Sequence, residues 1–366
     1  MEVSPMPGHF IFSADSHVRE PNDLFRDGLP ASLRQHAIHA VREGETLITR
    51  TDEEVIFKMR LNVVDLEGVK RVGLHDLNGR ILDMEKDGID AEICFPSLGL
   101  WAYAIKNIDA EYATAQVYND WNNGFFAGHL DRFVRCAILP IRDLRHTVEE
   151  LKRVARLGFT AAMLPSVTPT GVPRYNDPAW DPVFREAGAL GVVIVMHTGT
   201  GLETVIHERG PGAAVVNYTR QMNDGIDAVT YLVSGGVLDR NPQCQVAIIE
   251  CGASWLGALA ERMDEVYHAH AAFVQPKLSV KPSEVIRRQI KASFQHDRAC
   301  IAARAVTGHE ALMWASDYPH AEGTFPHSRE IVASLFDGIE ISEKEKADIL
   351  GGNAARLFRL PRPEFQ

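Results

Sequence analysis

The chain has 366 residues, 45% of them hydrophobic and 24% charged, enough for one large α/β domain or two ordinary ones. A net charge of −11 with scattered Lys and Arg argues against nucleic acid as a partner, and no apolar run is long enough to span a bilayer. MEVSPMPGHFIF at the N-terminus does not read as a signal peptide. The five cysteines include no C-x-x-C and read as reduced buried thiols, so a cytoplasmic protein is expected.

The first strand-like run is HFIFSAD, which leads into Asp15-Ser16-His17. Asp15 and His17 are two residues apart, so strand alternation turns both to one side. Arg19 follows directly and is a candidate to hold a substrate carboxylate. Residues 21–80 are polar, mixed and weakly periodic, and are expected to form a long insertion over the mouth of the fold. AEICFPS is the second run, with Trp101 and Tyr103 after it as candidate walls of an apolar pocket. VRCAILP and TAAMLPS follow, each separated from its neighbours by an amphipathic helical pattern. In the fifth run, VVIVMHTG, the residues Val193, Val195 and His197 share a face, and a long glycine-rich loop follows that is suited to closing over a substrate. In the sixth, QVAIIECG, alternation puts Val246, Ile248 and Glu250 on one inward face and Cys251 outward. The helix SWLGALAERMDEVYHAHA comes next, with Leu256, Leu259, Met263 and Val266 at helical spacing. IKASFQHD and LMWASDYPH complete the set. In the last, Met313, Ala315 and Asp317 share a face, and Pro319 ends the pairing so that His320 can turn into the mouth. Ser342 and Glu345 form a capping-box pattern at the start of the final helix.

Eight strands alternating with helices predict a (β/α)8 TIM barrel, a single domain over 1–366 with an insertion after the first strand. A doubly wound sheet is disfavoured, because no glycine-rich phosphate loop follows the first strand. Each inward set is apolar until its last member, which is ionisable and lies at the active-site face of such a barrel. A buried ionised Asp is costly unless it is paired or bound to a cation. Asp15, His17, His197 and Asp317 together make a nitrogen and oxygen ligand set for a divalent transition metal. Glu250 and His320 are placed to add ligands or, with Asp317, to serve as acid and base.

SADSHVREP, DGIDAEICFPS, MHTGTG, ECGASWLGALAERMDE, WASDYPHAEGTFPHS and GGNAARLF together resemble the amidohydrolase-related family, in the branch that includes metal-dependent decarboxylases. The resemblance runs from about Phe12 to Leu360. It implies Asp15, His17, His197 and Asp317 as metal ligands, with Asp15 standing where many members have His or Glu. Members with two metals often carry a carboxylated Lys at the end of the fourth strand. TAAMLPS has none, which excludes a Lys-bridged pair. The decarboxylases have a His where Glu250 stands here. The expected activity is a metal-dependent hydrolase or carbon–carbon lyase acting on a small carboxylated or aromatic molecule, with one or two Zn, Mn or Fe ions. A dinuclear non-haem iron or iron–manganese oxygenase is the second reading, and a non-catalytic ligand-binding or partner barrel the third. Homo- and hetero-oligomers are both compatible with the sequence.

Overall fold

Short parallel strands, most of them followed by a helix, wind into a ring in the computed structural model, which describes residues 8–61, 70–202 and 205–362. The first strand position is split into β1 (Phe12–Ser13) and β2 (His17–Val18). The insertion follows, with β3 (His39–Glu43), β4 (Thr46–Arg50) and β5 (Val55–Arg60) forming a separate antiparallel sheet. The ring resumes with β6 (Ala91–Pro96), β7 (Phe133–Ile138), β8 (Ala161–Pro165) and β9 (Val193–His197). It ends with β10 (Val246–Ile249), β11 (Ile290–Phe294) and β12 (Leu312–Trp314). Every residue of β6 to β10 is buried, as expected of parallel strands covered on both faces.

Both halves of the split strand pair with β6. The residues between and beside them close the ring against the eighth strand. Ala14 N donates to Trp314 O at 2.9 Å, His17 N to Tyr318 O at 2.7 Å, and Asp317 N to Asp15 O at 3.0 Å. The architecture is the (β/α)8 barrel that the sequence predicts, with its insertion after the first strand.

Local chemistry starts the helices where the polar residues stand. Asn107 accepts from Ala110 N at the head of the helix Ile108–Phe125, and Asp143 accepts from Arg145 N at the head of Leu144–Arg156. The Ser342–Glu345 capping box is formed as the sequence predicts. All five cysteines are buried and free. Among the described residues no helix is long and apolar enough to cross a membrane.

The insertion packs over the mouth through β5, whose Phe57 stacks on Trp101 with ring centroids 4.6 Å apart. Weak periodicity hid this small sheet in the sequence. Residues 62–69 of the predicted insertion lie outside the described residues.

Candidate metal centre

The split in the first strand puts three consecutive residues, Ala14 to Ser16, between β1 and β2, and Asp15 is fully buried there. His17 begins β2 and is buried as well. Its Nδ1 lies 3.1 Å from the Pro96 carbonyl, which can only accept. Nδ1 is therefore the protonated nitrogen, and Nε2 keeps its lone pair. His197, the last residue of β9, is held in the same way by the carbonyl of Thr198 at 2.9 Å.

The two free Nε2 atoms face carboxylates at distances too long for good hydrogen bonds. His17 Nε2 is 3.6 Å from Asp15 Oδ1 and 3.5 Å from Asp317 Oδ1. His197 Nε2 is 3.6 Å from Asp15 Oδ1 and 3.5 Å from Glu250 Oε2. His320 Nδ1 reaches Asp317 Oδ1 at 2.8 Å, a charge contact without hydrogen-bond alignment. Asp15 Oδ1 and Oδ2, Asp317 Oδ1 and Oδ2, and the Nε2 atoms of His17 and His197 are all buried without a hydrogen-bond partner.

Buried polar atoms rarely stay unsatisfied, and leaving six together is costly. Lone pairs aimed at a common point suit a divalent cation with nitrogen and oxygen ligands. Two overlapping sets of donors lie within 4.8 Å of one another, Asp15–His17–His197–Glu250 and His17–Glu250–Asp317–His320.

The electrostatics of the bare protein are correspondingly conflicted. Burial, with His320 and His197 nearby, drives the His17 imidazole well below its ordinary pKa. Burial also opposes charge on His197, but the Asp15 carboxylate outweighs it and His197 is pushed up to about 9. Burial raises the Asp317 carboxyl to about 6 against the pull of His320. Burial, reinforced by Asp317, raises Glu250 well above the usual carboxylate range.

Two ligand candidates stand on strained backbone. Glu250 has φ 60° and Asp317 φ 53°, in the left-handed region that disfavours side chains other than glycine. At Glu250 this corrects the predicted register. β10 pairs Ala247 with Val195 and Ile249 with His197, so Ala247 and Ile249 share the inward face. Ile248 points outward, where its Cγ2 would lie 2.8 Å from a Cβ added to Gly225 of the helix Ala213–Ser234. Glu250 reaches the mouth because its left-handed backbone breaks the alternation. Cys251 faces the helix layer beside Gly225, as predicted.

A cavity of about 580 Å³ opens above these residues. His197, Glu250 and His320 line it, together with Trp101, Phe57 and Tyr218. Trp101 thus lies where the sequence put it. Tyr103 does not: it is buried and its hydroxyl donates to the Met163 carbonyl at 2.9 Å, so it belongs to the core. Arg19 is only partly buried and is not among the side chains lining the cavity, which corrects its expected place beside the substrate.

Sequence reasoning missed three supports. Arg80 donates to the His17 carbonyl at 2.6 Å and to Glu92 at 2.5 Å, and its guanidinium lies 4.2 Å from the Tyr318 ring, tying the first strand to the eighth. The buried carboxylate of Glu20 accepts from the backbone N–H groups of Ser97, Leu98 and Gly99, which anchors the turn that presents Trp101. Phe57 sits in VIFKMR, an alternating run that was the available signal.

A family model described as amidohydrolase matches residues 15–360. The chain is 27% identical over 253 residues to gamma-resorcylate decarboxylase of Rhodococcus jostii (strain RHA1), covering 63% of this chain and 72% of that one. An amidohydrolase structure from Mycobacterium avium subsp. paratuberculosis K-10 superposes with a TM-score of 0.80 at 19% identity, over 96% of this chain and 100% of that one. 5-Carboxyvanillate decarboxylase from Novosphingobium aromaticivorans, solved with manganese and 4-hydroxy-3-methoxy-5-nitrobenzoic acid, gives a TM-score of 0.71 at 19% identity, over 96% of this chain and 97% of that one. At these identities the two structures speak to the fold.

Proposed function

The chain belongs to the amidohydrolase family, and from that premise we propose that it is a metal-dependent carbon–carbon lyase that decarboxylates a small aromatic acid. The observation that carries this reading is the cluster of six unsatisfied buried ligand atoms beneath a cavity walled by Trp101 and Phe57. The decarboxylase relative and the decarboxylase structure holding manganese support lyase chemistry over the hydrolase, oxygenase and non-catalytic readings.

Asp15, His17, His197 and Asp317 would hold the ion, with Glu250 and His320 at its open side. A divalent cation there supplies a Lewis acid for a substrate oxygen. Trp101 and Phe57 offer an aromatic face on which the substrate ring can stack. His320 and Asp317, 2.8 Å apart, carry the proton. It is delivered to the ring carbon that bears the carboxylate. The bond to the carboxylate then breaks, its electron pair restores the aromatic ring, and carbon dioxide leaves. The insertion sheet over the mouth limits the access of water. The five free buried thiols suit a reducing compartment.

The test is metal analysis of protein purified without added metal, followed by assay of carbon dioxide release from a panel of hydroxylated benzoates. About one divalent ion per chain and stoichiometric carbon dioxide release are expected. Two irons per chain with oxygen-dependent turnover would replace this reading with the oxygenase. Metal without turnover of any aromatic acid would remove the decarboxylase reading.

A further inference from the structure

The helix Ala213–Ser234 sends one carboxylate back beneath the loop that follows His197. Asp224 Oδ2 accepts from Gly199 N at 2.9 Å, from Thr198 Oγ1 at 2.9 Å and from Ser166 Oγ at 3.5 Å. A single oxygen taking three donors is a task for a charged acceptor, whose hydrogen bonds are stronger than those of a neutral one. The same turn is fastened from its other side. Thr200 Oγ1 donates to the His197 carbonyl at 2.5 Å and accepts from Ser166 N at 2.8 Å.

The clamped segment bears directly on His197. The Thr198 carbonyl accepts the His197 Nδ1 proton at 2.9 Å, and this leaves Nε2 as the free nitrogen facing Asp15 and Glu250. We propose that Asp224 is a positioning residue for the metal centre: by holding Thr198 and Gly199 it fixes the Thr198 carbonyl, and so the tautomer and direction of the His197 ring. This rests on the proposed metal site. Partners of a ligand histidine at the nitrogen away from the ion typically contribute 10- to 100-fold to metal affinity. Asp224 acts through one further link, so a loss of about tenfold is expected.

The experiment measures Mn2+ affinity of the metal-stripped full-length protein by competition with a chelator. The proteins compared are wild type, Asp224→Ala, Asp224→Asn, His197→Ala and the His197→Ala/Asp224→Ala double variant. Asp224→Ala should bind Mn2+ about tenfold more weakly. Asp224→Asn should recover part of that loss, since its amide oxygen can still accept from Gly199 N. In the His197→Ala background Asp224→Ala should add nothing, because the link it acts through is gone. A merely structural Asp224 would weaken binding by the same factor in both backgrounds. That result, or Asp224→Ala binding as wild type, overturns the proposal. If Asp224→Ala does not fold, wild-type affinity in both Asp224→Asn and a Thr198→Val variant overturns it, whereas weakened binding in both supports it. Wild type that binds no Mn2+, Zn2+ or Fe2+ overturns the metal site itself, and this inference with it.

Discussion

Glu250 and Asp317 show what the site asks of single residues. A left-handed backbone at a residue other than glycine costs about 1–2 kcal/mol, and here it occurs at two carboxylates of one cluster. The strain at Glu250 is what turns its side chain from the helix layer into the mouth. Glu250→Gly should therefore raise the stability of the metal-free protein by about 1 kcal/mol in urea unfolding, from relief of strain and loss of a buried carboxylate, less the entropy glycine adds to the unfolded chain. The same variant should lose about 100-fold or more in turnover if Glu250 assists proton transfer. Full turnover in Glu250→Gly would take the residue out of the chemistry.

At the scale of elements, the insertion sheet and the strand-to-helix turns decide what the cavity accepts. Phe57→Ala removes one face of the stack with Trp101, worth about 0.5–1.5 kcal/mol. A rise in KM of about 3- to 10-fold with little change in kcat is expected, and an unchanged KM would leave Phe57 outside the binding wall. A different turn carries a pH signature. Glu111, on the helix Ile108–Phe125, accepts from Ile141 N at 3.0 Å and Arg142 N at 2.9 Å, and burial raises its carboxyl to about 7. A folded-state value above the unfolded one favours the protonated native form. That contribution is full below about pH 4.5 and is lost as pH rises through about 7, amounting to about 3 kcal/mol in all. Urea midpoints from pH 5 to 8 should fall in wild type relative to Glu111→Gln, and parallel curves would count against the assignment. The strand ends were legible in the sequence because parallel strands are apolar to their last residue, so an ionisable residue there stands out, as at His197. Tyr103 was misplaced because Gly99–Ala104 is a 3-10 helix, in which residues two apart point to different sides. Trp101 therefore meets the cavity while Tyr103 enters the core. Glu250 was placed correctly for the wrong reason: strand alternation alone could not show the left-handed residue that ends β10.

Over the whole molecule, the unsatisfied centre makes the bare protein the weaker form. Mn2+ at about 100 times its Kd should add about 2.7 kcal/mol to stability, seen as a rise of several degrees in Tm that a chelator reverses. Asp15→Asn should lose that response while melting, metal-free, at or above the metal-free wild type, since it removes a buried charge without a partner. Equal melting of wild type with and without Mn2+, Zn2+ and Fe2+ would argue that the cluster holds no ion. The seam of the barrel has a consequence of another kind. Ser13 and Ser316, hydrogen-bonded at 2.8 Å beside the centre, are 303 residues apart in the chain. During synthesis Asp15 and His17 emerge early, and they wait for nearly the entire polypeptide before Asp317 arrives to meet them. A ribosome that stops short, or a protease that trims the last fifty residues, leaves an open ring with half a binding site. Loading with metal thus distinguishes finished molecules from fragments, and a cell that supplies the ion only after release would stabilise the complete chain selectively.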